Sequence, residues 1–104
     1  MQQTLFNRLE TWTWYSFTQG NLNMVPQISG VYCLGVNNDI IYIGSSINLN
    51  DRLTDHYYSS GPCISQANQF AIEPCENYLQ RERERLRNYL AEHGRLPNCN
   101  DLIP

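Results

Sequence analysis

GVYCLGVNNDIIYIGSS, at residues 30–46, is the stretch of sequence that decides the fold. Residues 31–36 and 40–43 are β-branched, aromatic or apolar apart from one glycine, and Asn37, Asn38 and Asp39 separate the two runs. Asn and Asp tolerate the left-handed backbone that a tight turn between two strands requires. The stretch therefore predicts a β-hairpin.

The period of the apolar residues changes after Gly44. Leu49, Leu53 and Tyr57 are spaced four apart, which is typical of a helix with one apolar stripe. Asn48 or Asn50 is available as the N-cap of this helix. The hairpin is thus predicted to lead directly into an amphipathic helix.

Four side chains of the hairpin and the helix have the chemistry of a phosphate site. Arg52 and His56 are four residues apart, so they share one face of the predicted helix. Tyr32 and Tyr42 lie on the paired strands, each within two residues of a glycine. Phenols, a guanidinium and an imidazole around one hollow suit a phosphate better than they suit a dry core.

The same residues carry a family resemblance. Gly-Val-Tyr at 30–32, Tyr-Ile-Gly at 42–44 and Ser-Ser-x-Asn-Leu-x-x-Arg-Leu-x-x-His at 45–56 resemble the GIY-YIG nuclease family. The resemblance implies an α/β fold, with a small three-stranded antiparallel sheet flanked by helices. Residues 29–104 would be the catalytic domain, and residues 1–28 a lead-in that packs on its core.

The remaining segments complete this expectation. Residues 69–73 are predicted as a third strand, and residues 75–93 as a long helix, because Gly94 stands where a helix C-cap belongs. In the lead-in, residues 5–9 suggest a short amphipathic helix and residues 11–15 alternate as a strand does. Three aromatic residues there have two interpretations, core packing or a platform for stacking unpaired bases: Trp12, Trp14 and Phe17.

The resemblance places one metal-binding glutamate on the long helix, and the candidates are Glu76, Glu82 and Glu84. Helical spacing assigns four residues to the buried side: Leu79, Leu86, Tyr89 and Leu90. Glu82 falls within that stripe, whereas Glu84 lies roughly opposite. A carboxylate on a buried face needs a reason, and a metal ion is one. We therefore expect Glu82 to be the metal ligand, with Glu84 second.

The resemblance also implies a role for each residue of the site. Tyr32 would activate the attacking water, Tyr42 would orient water or phosphate, and Arg52 would clamp the phosphate. His56 would carry a proton, and Glu82 would hold one Mg²⁺ or Mn²⁺ ion. Three further residues are expected to contact nucleic acid: Ser46, Asn48 and Asn100, the last in a closing Pro-x-x-Asn. The alternative is a catalytically silent GIY-YIG module that binds nucleic acid or a protein.

Composition limits these expectations. A chain of 104 residues allows one compact domain. The net charge is −3 and all seven basic residues are arginines, so we expect weak, salt-sensitive affinity for DNA, which a protein partner or self-association would supplement. Branched or nicked DNA is a possible target.

The sequence carries no signal for a membrane or for secretion. No apolar run is long enough to cross a bilayer and no secretory signal is present, which favours the cytoplasm. The four cysteines form no Cys-x-x-Cys pair, so a zinc ribbon is not expected. A disulfide framework is an alternative that the expected cytosolic context disfavours.

Overall fold

The hairpin of residues 30–46 is the centre of the protein. A computed structural model describes residues 11–104. Its strands are β1 (Tyr15–Ser16), β2 (Gly30–Val36), β3 (Asp39–Ser46) and β4 (Gln69–Pro74). Its helices are α1 (Gln19–Leu22), α2 (Leu49–Ser59) and α3 (Tyr78–His93), with a 3₁₀ turn at Ile64–Gln66. The helix predicted at residues 5–9 lies outside the described residues.

The mixed α/β architecture is as predicted, but the antiparallel sheet has four strands instead of three. Their order is β1-β4-β2-β3. The additional strand is β1, in which Tyr15 pairs with Phe70 and Ser16 with Gln69. The sequence alternates over residues 11–15 as predicted, yet only the last of these residues enters the ladder. The alternation indicates a strand, whereas its two-residue length and its pairing depend on the distant segment β4 and appear in no local pattern.

The turn of the β2–β3 hairpin has the predicted chemistry. Asn37 and Asn38 both have positive φ values, 52° and 72°. Adjacent left-handed residues form the type of turn that matches the twist of paired strands. Farther from the turn the register places Tyr32 opposite Gly44, the one pair in which the two family tripeptides meet across the hairpin.

Each face of the sheet is covered by helices. On one face, α2 buries Leu49 and Leu53 against Tyr32 and Leu34 of β2. On the other, α3 buries Leu86 and Tyr89, in one cluster with alternate residues of β2 and β3. Trp12 and Trp14 pack at the margin of this second cluster, so the core-packing interpretation is the correct one for both.

The helix ends follow the predicted capping. The Asn48 side chain accepts a hydrogen bond from the backbone N–H of Asp51 at 3.1 Å, which identifies Asn48 as the N-cap of α2. Gly94 caps α3 with φ 75°. The helix begins at Tyr78, three residues later than predicted.

The stripe predicted for α3 is wrong at two of its four positions. Leu79 is 54 % exposed and Leu90 39 % exposed, and neither belongs to a core cluster. Leu90 is turned about 100° from Tyr89, toward solvent. Leu79 has suitable spacing but lies in the first turn, which neither core cluster includes. The buried stripe is instead Glu82, Arg85, Leu86 and Tyr89.

The structure contains a disulfide that the sequence analysis did not expect. Cys63 and Cys99 are bonded, with Cα atoms 5.8 Å apart and a separation of 36 positions in the sequence. The bond ties the loop after α2 to the C-terminal tail. Cys33 is buried in β2 as a free thiol. Within residues 11–104 no helix is long and apolar enough to cross a membrane.

Candidate active site

Tyr32 occupies the centre of the candidate site. It points from β2 toward α2 and is only 2 % exposed. The space for its phenol comes from Gly44, since a Cβ built at that position would lie 2.5 Å from the Tyr32 hydroxyl oxygen. Glycine at 44 is therefore required by the neighbouring tyrosine.

A chain of hydrogen bonds connects Tyr32 to the end of α2. The Tyr32 hydroxyl is 2.8 Å from Nε2 of His56, and Nδ1 of His56 is 3.3 Å from the Ser60 hydroxyl oxygen. Ser60 donates its own proton to the carbonyl oxygen of His56. It must therefore accept from Nδ1–H, which leaves Nε2 as the acceptor in the neutral imidazole. The network therefore indicates that the Tyr32 hydroxyl donates its proton to Nε2 of His56.

Burial favours the neutral form of both partners. Desolvation by burial, assisted by the nearby Tyr42, raises the pKa of Tyr32 far above its ordinary value. Burial, followed by the positive charge of Arg52, lowers the pKa of His56. At neutral pH the pair is an uncharged phenol beside an uncharged imidazole.

Tyr42 and Arg52 complete this side of the site. The Tyr42 ring centroid lies 6.1 Å from that of Tyr32 and 5.6 Å from that of His56. Burial first, and then the charge of Glu82, raise the pKa of Tyr42. Arg52 is exposed and has no ion-pair partner within residues 11–104, so its guanidinium is available to an anion.

Glu82 approaches the tyrosines from the other face of the sheet. It is 8 % exposed, and one of its carboxylate oxygens accepts a 2.6 Å hydrogen bond from the Ser45 hydroxyl. Because β3 is the edge strand, a side chain on the α3 face of the sheet lies close to groups on the α2 face. The Glu82 charge accordingly raises the pKa of both Tyr32 and Tyr42.

The basic residues near Glu82 on α3 are bound elsewhere. Arg85, buried on the same stripe, forms a 2.9 Å ion pair with Glu73 and lies over the Trp12 ring at 3.8 Å. Arg81 pairs with Glu73 at 2.8 Å. Within the described chain no ion pair reaches Glu82, which leaves a buried carboxylate without a cation.

The other two glutamates are placed differently. Glu84 has a side chain that is 44 % exposed and pairs with Arg81 at 3.1 Å. Glu76 precedes the first residue of α3 and is exposed. Of the three candidates, Glu82 is the one that lies beside the tyrosines.

The three residues expected to contact nucleic acid also serve the fold. Asn100 accepts from the backbone N–H of Ile43 at 2.9 Å and donates to its carbonyl at 3.0 Å. Ser46 and Asn48 bond each other at the start of α2. The asparagine oxygens are thus committed, whereas the amide nitrogen of Asn48 makes no hydrogen bond within residues 11–104.

Two residues of the site escaped the sequence analysis. Ser45 shares a sheet face with Ile43, so strand alternation could have placed it under α3 beside Glu82. Ser60 follows His56 by four residues, a spacing at which side chains on a helix meet. Both signals were present, although serine is common at strand and helix ends and neither position stood out.

Comparison with known proteins agrees with this geometry. The family model described as the GIY-YIG catalytic domain matches residues 28–93. Since the match covers more than half of the chain, the protein belongs to the GIY-YIG family and is a nuclease of that family. Among curated protein sequences, none matches this chain at a significant level.

Solved structures of one bacterial domain share the fold. They are of the N-terminal endonuclease domain of UvrC from Thermotoga maritima. A point mutant bound to its catalytic divalent cation has a TM-score of 0.62 at 17 % identity, with 81 % of this chain and 94 % of that chain covered. The magnesium-bound form gives 0.58 at 21 % identity, with 80 % and 94 % covered.

Proposed function

We propose that this nuclease hydrolyses phosphodiester bonds in DNA with the help of one divalent cation. The observation that carries the proposal is the hydrogen bond between the buried Tyr32 and the half-buried His56, next to a buried carboxylate, Glu82, that no cation pairs with within residues 11–104. A buried charge costs free energy unless a cation pairs with it, so the Glu82 carboxylate does not benefit a dry core.

The residues present suit a weakly caged Mg²⁺ or Mn²⁺ ion. Within residues 11–104 no three His, Cys, Asp or Glu side chains are grouped to hold a metal. Mg²⁺ keeps most of its waters and is commonly held by one or two carboxylates together with substrate phosphates. The single carboxylate of Glu82 is therefore enough to hold the ion once a substrate phosphate is present. When bound, the cation would polarise the phosphate and stabilise the charge that develops on its oxygens. Catalytic-cation-bound UvrC domains with the same fold support its inclusion.

Tyr32 and His56 handle the proton of the attacking water. As the water oxygen bonds to phosphorus, its proton passes to the Tyr32 hydroxyl oxygen, and the original Tyr32 proton passes to Nε2 of His56. The bond from phosphorus to the leaving oxygen breaks, and solvent protonates that oxygen. Tyr32 stays neutral throughout, which agrees with its raised pKa. Ser60 positions the imidazole for this step by holding Nδ1–H.

Arg52 and Tyr42 orient the phosphate. The exposed guanidinium of Arg52 can make two parallel hydrogen bonds to phosphate oxygens, and it lies one helical turn from His56. Tyr42 offers a hydroxyl at the exposed margin of the site. The free amide nitrogen of Asn48 extends the contacts along the DNA backbone, while Ser46 and Asn100 hold the segments that carry the site.

The charge of the protein explains why we expect another molecule to assist its binding to DNA. The net charge is −3, and Arg81 and Arg85 are already paired with Glu73. Few cations therefore remain to displace counterions from DNA, which limits non-specific affinity. We include in the proposal a protein partner or a second copy of the chain that delivers branched or nicked DNA.

The cytoplasm stays our prediction for where the reaction occurs, and the disulfide weighs against it. Disulfides persist mainly in oxidising compartments. Acid quenching of the cells and alkylation of the denatured protein before any reduction distinguish the two: four modified cysteines indicate a reducing compartment, and two an oxidising one.

The proposed function is tested by cleavage of supercoiled plasmid with Mg²⁺ or Mn²⁺. We expect the wild-type protein to nick the plasmid, and Tyr32→Phe, Arg52→Ala and Glu82→Gln each to lower the rate about 100-fold or more. Ser60→Ala should be about 10-fold slower, because an unrestrained imidazole populates the wrong tautomer.

Matched controls are available on the same elements. Glu84→Gln and Arg87→Ala alter exposed side chains of α3 and should leave the rate unchanged. Loss of activity in Glu84→Gln with activity retained in Glu82→Gln would move the metal to Glu84. Absence of cleavage on plasmid, single-stranded and branched DNA would refute the nuclease mechanism and favour a silent binding module.

A further inference from the structure

A second hollow borders the reaction centre. It is an open cavity of about 260 Å³ between the last turn of α2, the 3₁₀ turn and the segment after β1. Its principal lining residues are Phe17, His56, Tyr57, Tyr58, Ser60 and Ser65. His56 belongs to both places, since its Nε2 faces Tyr32 and its ring forms part of the cavity wall.

Core packing does not explain two of the aromatic residues in the wall of this cavity, Tyr57 and Tyr58. Tyr57 is 40 % exposed and Tyr58 is 62 % exposed, and neither belongs to a core cluster. Tyr57 lies edge-on to Phe17, with centroids 5.3 Å apart, and perpendicular to Tyr58, with centroids 4.9 Å apart. Mutually perpendicular rings leave ring faces free for a flat partner to stack on.

The polar wall offers hydrogen-bond acceptors. Ser65 donates its proton to the carbonyl oxygen of Pro62 at 3.0 Å, and Ser60 donates to that of His56. A hydroxyl that already donates retains lone pairs for an incoming N–H group. Aromatic faces combined with acceptors at a rim match a nucleobase, which has two π faces and N–H groups along its edge.

Size and position restrict the occupant further. A cavity of about 260 Å³ lies just below the usual range for drug-sized ligands, roughly 300–1,000 Å³, and so it suits one base and not a dinucleotide. Because His56 is shared, a strand whose phosphate lies at Tyr32 and Arg52 passes the mouth of the cavity. A base paired within a duplex is stacked on its neighbours and cannot enter.

We propose that this cavity, the α2-end pocket, binds one unpaired nucleobase next to the scissile phosphate. The inference rests on the proposed nuclease function and specifies its substrate: DNA with an unpaired nucleotide at the cut, as in a single strand, flap or gap. Tyr58 and Tyr57 stack on the base, and Ser65 accepts from its edge.

Binding without metal tests the pocket separately from cleavage. Fluorescence anisotropy would use a labelled single-stranded oligonucleotide, the matching duplex, and the single strand with one central abasic site, all in EDTA. We expect Tyr58→Leu and Tyr57→Leu each to weaken single-strand binding roughly 10-fold, as loss of one stacked base does. Duplex binding should change less than about twofold, since paired bases do not reach the pocket.

Tyr15→Leu is the matched control. Tyr15 is 49 % exposed and lies on β1, apart from the α2-end pocket, so its loss should alter neither affinity. The abasic strand should bind wild type about as weakly as the intact strand binds Tyr58→Leu, because both lack the same stack. Three outcomes would overturn the proposal. They are unchanged single-strand affinity in both tyrosine variants, equal losses of affinity for the duplex, and no measurable binding to any oligonucleotide.

The two proposals fail in different ways. A pocket-dependent preference for single strands without cleavage by the wild type would refute the nuclease mechanism alone. Cleavage without such a preference would refute the pocket alone.

Discussion

At the scale of single residues, the Tyr32–His56 hydrogen bond determines how the site responds to protons. Tyr32 is buried and His56 is half-buried, and Arg52 adds positive charge beside the imidazole. A protonated His56 could not accept a hydrogen bond from Tyr32. Burial and Arg52 together therefore keep His56 neutral at neutral pH and able to accept the Tyr32 proton. The same shielding links the folding free energy to pH.

We predict that His56 makes the protein less stable as the pH falls. Its pKa is lowered in the folded state from an ordinary value of 6.5, so the unfolded chain takes up the proton first. The free energy of unfolding contributed by this residue is complete above pH 6.5 and decreases as the pH falls toward the folded pKa. Urea unfolding at pH 5, 6 and 7 measures this decrease in the free energy of unfolding.

His56→Gln should have a flatter profile over this range than the wild type. The imidazole shift on titration, followed by NMR, gives the folded pKa directly. A value above 6.5 would contradict the prediction, since it would mean that the folded state favours the charged ring.

At the scale of secondary structure, the hairpin and its glycine fix the position of the catalytic phenol. We predict that Gly44→Ala lowers the free energy of unfolding by about 1–3 kcal/mol and abolishes cleavage, because the new methyl group would overlap Tyr32. Thermal melts and plasmid nicking measure both effects. Gly61→Ala is the control, since nothing lies within 4 Å of its added Cβ. Equal behaviour of the two variants would show that Tyr32 moves aside without cost.

The elements that the sequence predicted are those with local signals. Asn37 and Asn38 determine the turn, Asn48 caps α2, and helical spacing brings Glu82 to the buried face of α3. These features depend on residues within a few positions of one another. The spacing of two glycine–tyrosine tripeptides was enough to indicate the site.

The remaining features depend on contacts between distant segments. Strand β1 is defined by its partner Phe70, and Arg85 is buried because Glu73 and Trp12 receive it. The pairing of Cys63 with Cys99 spans 36 residues. No periodicity records such encounters, so they required the structure.

At the scale of the whole molecule, the disulfide closes a loop that contains β4 and all of α3, including Glu82. We predict that Cys63→Ser with Cys99→Ser lowers the free energy of unfolding by about 2–4 kcal/mol, because the unfolded chain regains the freedom of that loop. Urea unfolding of the oxidised protein, with and without dithiothreitol, measures it.

Cys75→Ser removes a free, half-buried thiol and is the control, with a smaller expected change. If dithiothreitol leaves the unfolding curve of the wild type unchanged, the stabilising role of the bond is excluded.

The bonds that attach the tail to β3 also limit how copies of the protein can associate. The Cys99 N–H donates to the carbonyl of Ile41, and Asn100 binds both backbone groups of Ile43, so this border of the sheet already has its partner. Among the described residues, 11–104, strand β1 pairs with only the first two residues of β4 at the opposite border. Growth of the sheet by addition of a foreign strand is therefore directed to the β4 side. A dimer formed in that way would leave both catalytic centres open to DNA.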